Sequence, residues 1–174
     1  PTLLRALAQV AQGPHAFHLD VVGEDMLAGE IQRLARELGL ADRLSFHGFM
    51  TQRQLVPLMR AAHVLVVSSR HEAGPVAVLE AAALGVPTVG TAVGHVAEWA
   101  PEAALAVPVG DGQSLAAALG RLLADEALRL RLGRAAWTRA VWEDADYTAG
   151  CFEALHEELA GYHRRASTAA AARR

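Results

Sequence analysis

The sequence predicts an α/β protein built on a doubly wound parallel sheet, and three observations predict it. Short β-branched runs alternate with amphipathic stretches of roughly a dozen residues, the pattern left by successive βαβ units. One of those runs, HVLVVSS (63–69), is apolar almost without interruption, as a parallel strand covered on both faces must be. The segments after the strands, GED (23–25), GFM (48–50), SSRHEAGP (68–75) and TAVGH (91–95), then share one edge. It is the edge where such sheets bind ligands, beyond the carboxyl ends of the strands.

The elements follow in order. PTLLRALAQV (1–10) has a helical period; AFHLDVVG (16–23) reads as a strand that ends in glycine, and LAGEIQRLAREL (27–38) as an amphipathic helix. RLSFHG (43–48) is a second short strand, and TQRQLVPLMRAA (51–62) a helix or helix pair disturbed by Pro57. HVLVVSS leads into HEAGPVAVLEAAALGVP (71–87), a helix entered through Gly-Pro and left through Gly-Val-Pro. PTVGT (87–91) and AALAVPVG (103–110) are the last strands. From Gly112 the pattern is helical, in stretches over 112–125, 126–142 and 146–165. One domain is expected over 1–164, with 165–174 as a loose tail. The chain opens at Pro1, without Met and inside a helical pattern, so an excerpt of a longer polypeptide is expected.

Composition excludes several function classes. Hydrophobic residues make up 52% and charged residues 20% of the 174, an ordinary globular balance rather than a disordered one. The net charge of −3 argues against nucleic acid as a partner. All sixteen Lys+Arg positions are Arg, which excludes a P-loop NTPase and Schiff-base chemistry by this segment. Cys151 is alone, so no intrachain disulfide forms and a cytoplasmic setting is expected. No run reaches the ~18 apolar residues of a membrane span.

Chemistry concentrates at 71–90, where an otherwise apolar helix carries Glu80, with Glu72 just before it. Pro75 suits the first helical position and Gly74 admits close approach of the backbone to a ligand. The resulting helix N-terminus, with free N–H groups and roughly half a positive charge, is a ready phosphate site. A buried ionised Glu80 needs hydrogen bonds, which the vicinal hydroxyls of a ribose could supply. The bland alternative is that Glu80 pairs with Arg60 or Arg70. Glycoside hydrolysis by a carboxylate pair is a third reading, disfavoured by the phosphate-ready helix.

SRHEAGPVAVLEAAALGVPTVGT (69–91) resembles the signature of the GT-B glycosyltransferases of family 4: a Glu, seven intervening residues, Glu-Ala, then Gly-x-Pro. Glu72, Glu80, Ala81, Gly85 and Pro87 carry the match. LDVVGED, LGLADRLSFHGFM and VGHVAEWAPEAALAVPVGDGQSLAAAL are similar to further segments of the family, in order, so the resemblance spans nearly the whole chain. It implies a Rossmann-like GT-B C-terminal domain that binds a nucleotide-diphosphate sugar as donor substrate, retains anomeric configuration, and uses no metal ion or other cofactor. It assigns Glu80 to the donor ribose, and Glu72, Gly74, Pro75 and Val76 to sugar and phosphates, Glu72 being the candidate catalytic residue. Gly23 lies in the loop after the first strand, and Gly48, Phe49 and Met50 would border the base.

The family opens this domain with a strand and a loop bearing an Arg and a Lys for the diphosphate, and Pro1 begins after both. The resemblance therefore implies a missing first strand, met by a substitute strand, a gap or a rearranged sheet. It also implies a missing N-terminal acceptor-binding domain, and nucleotide binding that is weak or absent and no transfer by this chain alone. Where the family has an aromatic ring after its first Glu, this chain has Ala73-Gly74-Pro75. The alternatives are a non-catalytic nucleotide-sugar-binding module, a sugar-nucleotide epimerase or a phosphorylase of the same build.

Other signals are read as structural. His15 and His18 lack the partners of a zinc set, His71 is a solvated loop residue, and Asp111 is a helix cap. The Arg-rich LRLRLGRAAWTRAVW (128–142) reads as a solvated Arg face with Leu, Ala and Trp behind it, and second as a peripheral contact to the inner face of the membrane.

Overall fold

The structure, a computed structural model, describes residues 1–143 and 149–156. The expected tail, 165–174, lies outside the described residues, as does most of the helix expected over 146–165. In chain order the elements are α1 (Thr2–Val10), β1 (Leu19–Val22), α2 (Glu30–Glu37), a 3-10 turn (Ala41–Arg43), β2 (Leu44–Gly48), α3 (Gln52–Ala61), β3 (Leu65–Val67), α4 (Val76–Ala83), β4 (Thr88–Thr91), α5 (Gly94–Trp99), β5 (Ala104–Val107), α6 (Gly112–Ala124) and α7 (Glu126–Trp142). Residues 149–156 are helical.

Every strand pairing is parallel, as the sequence predicts. The strands form two sheets, however: β1-β2, and β3-β4-β5 in that order. The edge of β1 away from β2 and that of β3 away from β4 have no strand partner among the described residues. Of the three expected outcomes for the sheet, the structure has the gap. Leu4 and Leu7 of α1 pack in one cluster with Leu44 of β2 and Val89 of β4, so a single helix layer spans both sheets.

Strand alternation sorts the core into two faces. Val89 and Val107 face the layer of α1, α2 and α6. Val67 and Ala104 face α4 and α5, where Val78, Val96 and Trp99 are buried. Helices thus cover both faces of β3-β4-β5, the doubly wound arrangement. On β1-β2 the opposite face stays polar: His47 Nε2 meets Asp20 Oδ1 at 2.7 Å, and His18 Nε2 meets Ser45 Oγ at 2.9 Å.

Local chemistry explains the helix boundaries. The Asp111 side chain accepts from the Ser114 N–H at 2.9 Å and caps α6, and Asp125 caps α7 through Leu128 N–H at 2.8 Å. Pro57 lies inside one continuous α3 rather than between two helices. The carbonyl it orphans belongs to Arg53, which is exposed, so water satisfies it. In α7 the buried positions are Leu128, Leu132, Gly133 and Ala136, whereas Leu130, Trp137 and Trp142 are exposed. The expected arrangement of α7, with Trp behind the Arg residues, is therefore wrong. Gly133 packs directly on the Gly85 carbonyl, so small residues make the inner face and the large apolar ones are left outside.

Candidate functional site

The loop between β3 and α4 is fixed from three sides. Thr91 Oγ1, buried at the end of β4, donates to the Ser69 carbonyl at 2.6 Å. Ser69 Oγ in turn donates to Glu72 Oε1 at 2.7 Å, which holds the first carboxylate across its own turn. Gly94 then brings the start of α5 against the loop. It has φ +46°, and a Cβ there would stand 2.8 Å from the Ala73 carbonyl oxygen and 3.0 Å from Pro75 Cδ.

Pro75 is the residue before α4, with φ −66° and ψ 114°, so the helix begins at Val76, one position later than expected. The difference is small physically: the ring still supplies no N–H where none can be bonded, and the first-turn N–H groups of α4 open toward the loop. Gly74 does not leave open space. A Cβ there would lie 3.0 Å from His95 Nε2, so the imidazole of α5 rests on this backbone.

Glu80 is half-buried rather than buried, and its partner is neither Arg60 nor Arg70. Gln52 Nε2 donates to Glu80 Oε1 at 3.0 Å. Gln52 opens α3, whose first turn is set by the Thr51 N–H donating to Gln54 Oε1 at 3.0 Å. Behind the pair runs a groove between α3 and α4 lined by Leu55, Val56, Met59, Ala83 and Leu84.

The other sequence-predicted residues lie on the loops after β1 and β2. The Gly23 N–H (φ +130°) donates to the carbonyl of Gly48 (φ +65°) at 2.9 Å, tying the two loops together in conformations that favour glycine. Phe49 is 74% exposed and Met50 leads directly into Thr51 and Gln52. The Gln52–Glu80 bond therefore joins the Gly48–Met50 loop of one sheet to the helix that follows the other. The loop after β1 is pre-shaped by Asp25, which accepts from the Leu27 N–H at 2.9 Å and the Gly29 N–H at 2.6 Å. Those backbone bonds hold its carboxyl below the ordinary aspartate range.

The sequence reading brought Glu72, Gly74, Pro75, Val76 and Glu80 together, and the structure does so around the mouth of α4. It gave no role to Gln52 or to His95, although His95 closes TAVGH (91–95), one of the segments placed at the ligand edge. Among the described residues no group of three His, Cys, Asp or Glu could hold a metal ion, and no helix is long and apolar enough to cross a membrane.

Comparison with known proteins agrees with this architecture. The family model described as glycosyl transferases group 1 matches residues 1–125. A D-inositol 3-phosphate glycosyltransferase of Corynebacterium jeikeium is 33% identical over 166 residues, which cover 90% of this chain and 40% of the relative. The sucrose-phosphate synthase of Thermosynechococcus elongatus superposes with a TM-score of 0.76 at 30% identity, over 92% of this chain and 43% of the other. Anabaena Alr3699/HepE, solved in complex with UDP, has the same fold, with a TM-score of 0.76 at 23% identity over 92% of this chain and 44% of the other. The chain thus spans about 40% of the length of the first of these relatives. With the match over 1–125 and the shared α/β architecture, this chain belongs to the glycosyl transferases group 1 family.

Proposed function

We infer that this chain is the donor-binding part of a retaining glycosyltransferase of family 4. The whole protein would move a hexosyl group from a nucleotide-diphosphate sugar to an acceptor hydroxyl in carbohydrate biosynthesis. The observation that carries the reading is the placement of Glu72 and Glu80 on either side of the mouth of α4, at the carboxyl edge of parallel strands. Glu80 takes the ribose hydroxyls, displacing or sharing the carboxamide of Gln52. The first N–H groups of α4 and the backbone of Gly74 and Val76 face the diphosphate, where the helix N-terminus stabilises the charge that develops on the leaving group. Pro75 contributes shape only. Glu72, held by Ser69, meets the transferred sugar, and Gly23, Gly48, Phe49 and Met50 line the base side. UDP bound to the similar HepE fold supports a nucleotide as ligand. The chemistry needs no metal or other cofactor, because the helix end and backbone supply the positive potential.

In this reading an N-terminal domain of the same polypeptide binds the acceptor and closes over the donor, and the chain alone transfers nothing. A parallel strand in the gap between β1 and β3 would join the two sheets. The protein works in the cytoplasm and touches the inner face of the membrane through α7, whose exposed Trp137 and Trp142 share their surface with the exposed Arg131 and Arg134.

The test is titration of the chain with UDP, GDP and ADP, followed in amide NMR spectra that detect millimolar binding, beside Glu80→Ala. Saturable binding of one nucleotide that Glu80→Ala weakens is expected. A folded chain that responds to none of the three overturns the reading.

A further inference from the structure

His95 lies at the mouth of α4, and nothing so far gives it a role. Its Nδ1 lies 3.3 Å from Glu98 Oε2, and its plane stacks at 31° to the buried Trp99 with centroids 5.4 Å apart. These contacts leave Nε2 over Gly74, where a Cβ would come within 3.0 Å of it. Nε2 has no hydrogen-bond partner among the described residues, and the side chain keeps 21% of its exposure. The Gly94 backbone, pressed on Ala73 and Pro75, fixes the distance between this ring and the helix entrance.

We propose that His95 is a diphosphate-binding residue: its imidazolium donates Nε2–H to a phosphate oxygen at the mouth of α4, with Nδ1 turned to Glu98. The inference rests on the donor-site reading above. The chain contains no Lys, and the first turn of α4 supplies only partial charge. A phosphate drawn to that turn meets a full positive charge only from a side chain beside it. Glu98 beside Nδ1 orients the ring with Nε2 toward the loop, and Nε2 donates when the ring carries both protons, the form that an approaching phosphate favours. Glu98 lies on its own helix, and the loop packed against Gly94 and His95 carries Arg70, His71 and Glu72, with Glu72 engaged by Ser69. Binding of a diphosphate therefore strengthens as pH falls, because only the imidazolium donates from both nitrogens.

The experiment compares UDP, GDP and ADP with uridine, guanosine and adenosine, at about pH 6 and about pH 8, on either side of the ordinary histidine range. The chain, His95→Ala, His95→Gln and Glu80→Ala are titrated alike. His95→Ala is expected to weaken the bound diphosphate about tenfold at the lower pH, less at the higher, and to leave the nucleoside unchanged, as loss of a charge-assisted hydrogen bond requires. Glu80→Ala weakens both ligands. In the unmutated chain, the imidazole NMR signals of His95 shift with the diphosphate and not with the nucleoside, a readout that does not depend on the variants folding. If His95 variants bind the diphosphate as the unmutated chain does, or its imidazole does not respond, the proposal fails and the donor site stands. If the chain binds no nucleotide, the donor reading fails and His95's role with it.

Discussion

Gln52 and Glu80, twenty-eight positions apart, are hydrogen-bonded across the space between α3 and α4, Nε2 donating to Oε1 at 3.0 Å. Among the described residues nothing bonds Oε2 of Glu80, so the carboxylate is anchored at one oxygen and open at the other. A ribose diol needs two acceptor contacts, and the carboxamide is therefore the group that yields. Gln52→Ala is expected to change stability by less than about 0.5 kcal/mol, because the bond is exposed. Glu80→Ala should abolish the difference in affinity between whichever of UDP, GDP and ADP the chain binds and its 2′,3′-dideoxy analogue, which the unmutated chain should show at about tenfold or more. Equal affinity for the two ligands in the unmutated chain would detach Glu80 from the ribose.

Gly90 is the tightest point of the three-stranded sheet. A Cβ there would collide with the Val67 carbonyl oxygen and stand 2.9 Å from Val67 Cβ, and β3 has no room to withdraw because α4 packs on Val67. Gly90→Ala is expected to cost about 3 kcal/mol, seen as a fall in the urea midpoint. Gly133→Ala, aimed at the Gly85 carbonyl, should cost a similar amount by lifting α7 from α4. The exposed Gly150, with open space at its Cβ, is the control, and its substitution to Ala should be neutral or slightly stabilising.

How much of this was legible follows from range. The alternation of periods locates all five strands and most helices, because it is written in neighbouring residues. The carboxylate motif falls on the mouth of α4 for the same reason. Helix α5 is only Gly94–Trp99, less than two turns, and six residues carry no readable period. The Gln52–Glu80 and His95–Gly74 contacts join segments that only the fold brings together. Hydropathy puts Trp137 and Trp142 of α7 inside, and the close approach of Gly133 to Gly85 turns them out.

Asp111 gives a stability change with a definite direction in pH. The Ser114 N–H, first, and the Ser114 hydroxyl hold its carboxyl below the ordinary aspartate range. A group depressed in the folded state contributes stability at pH above its unfolded value and loses it as pH falls through the folded one. The chain should therefore lose stability below about pH 4, and Asp111→Ala should flatten that part of the profile. Urea midpoints measured from neutral to acid pH in both chains check it; parallel profiles would refute it.

The open edges of the two sheets should be visible in amide exchange. The Leu65 N–H is spent on the Pro87 carbonyl at 2.9 Å, so strand alternation turns the Val66 amide to the unpaired edge of β3. Val89, in a strand paired on both sides and fully buried, is its counterpart. Exchange at Val66 should be orders of magnitude faster than at Val89, which opens only with the sheet. A polypeptide that supplies a strand in the gap should slow Val66 and leave Val89 unchanged, and equal slow rates in this chain would mean that the edge is already covered.

The outer face of α7 combines Leu130, Trp137, Val141 and Trp142, the last 76% exposed, with Arg131 and Arg134. On one turn-by-turn stripe the rings can enter the headgroup layer while the guanidinium groups meet lipid phosphates. Sedimentation with vesicles that contain about a third anionic phospholipid is expected to carry the chain down, and vesicles of neutral phosphatidylcholine are not. Screening separates this from simple apolar adsorption: added salt should release the chain, since each Arg near an anionic surface contributes about 1 kcal/mol that falls off within a Debye length. Trp137→Ser with Trp142→Ser should weaken binding at every salt concentration, and Arg131→Gln with Arg134→Gln should remove the salt dependence. Neither substitution touches a buried residue, so both chains keep their urea midpoint. Retention on neutral vesicles as strong as on anionic ones would mean simple apolar adsorption rather than recognition of an anionic surface.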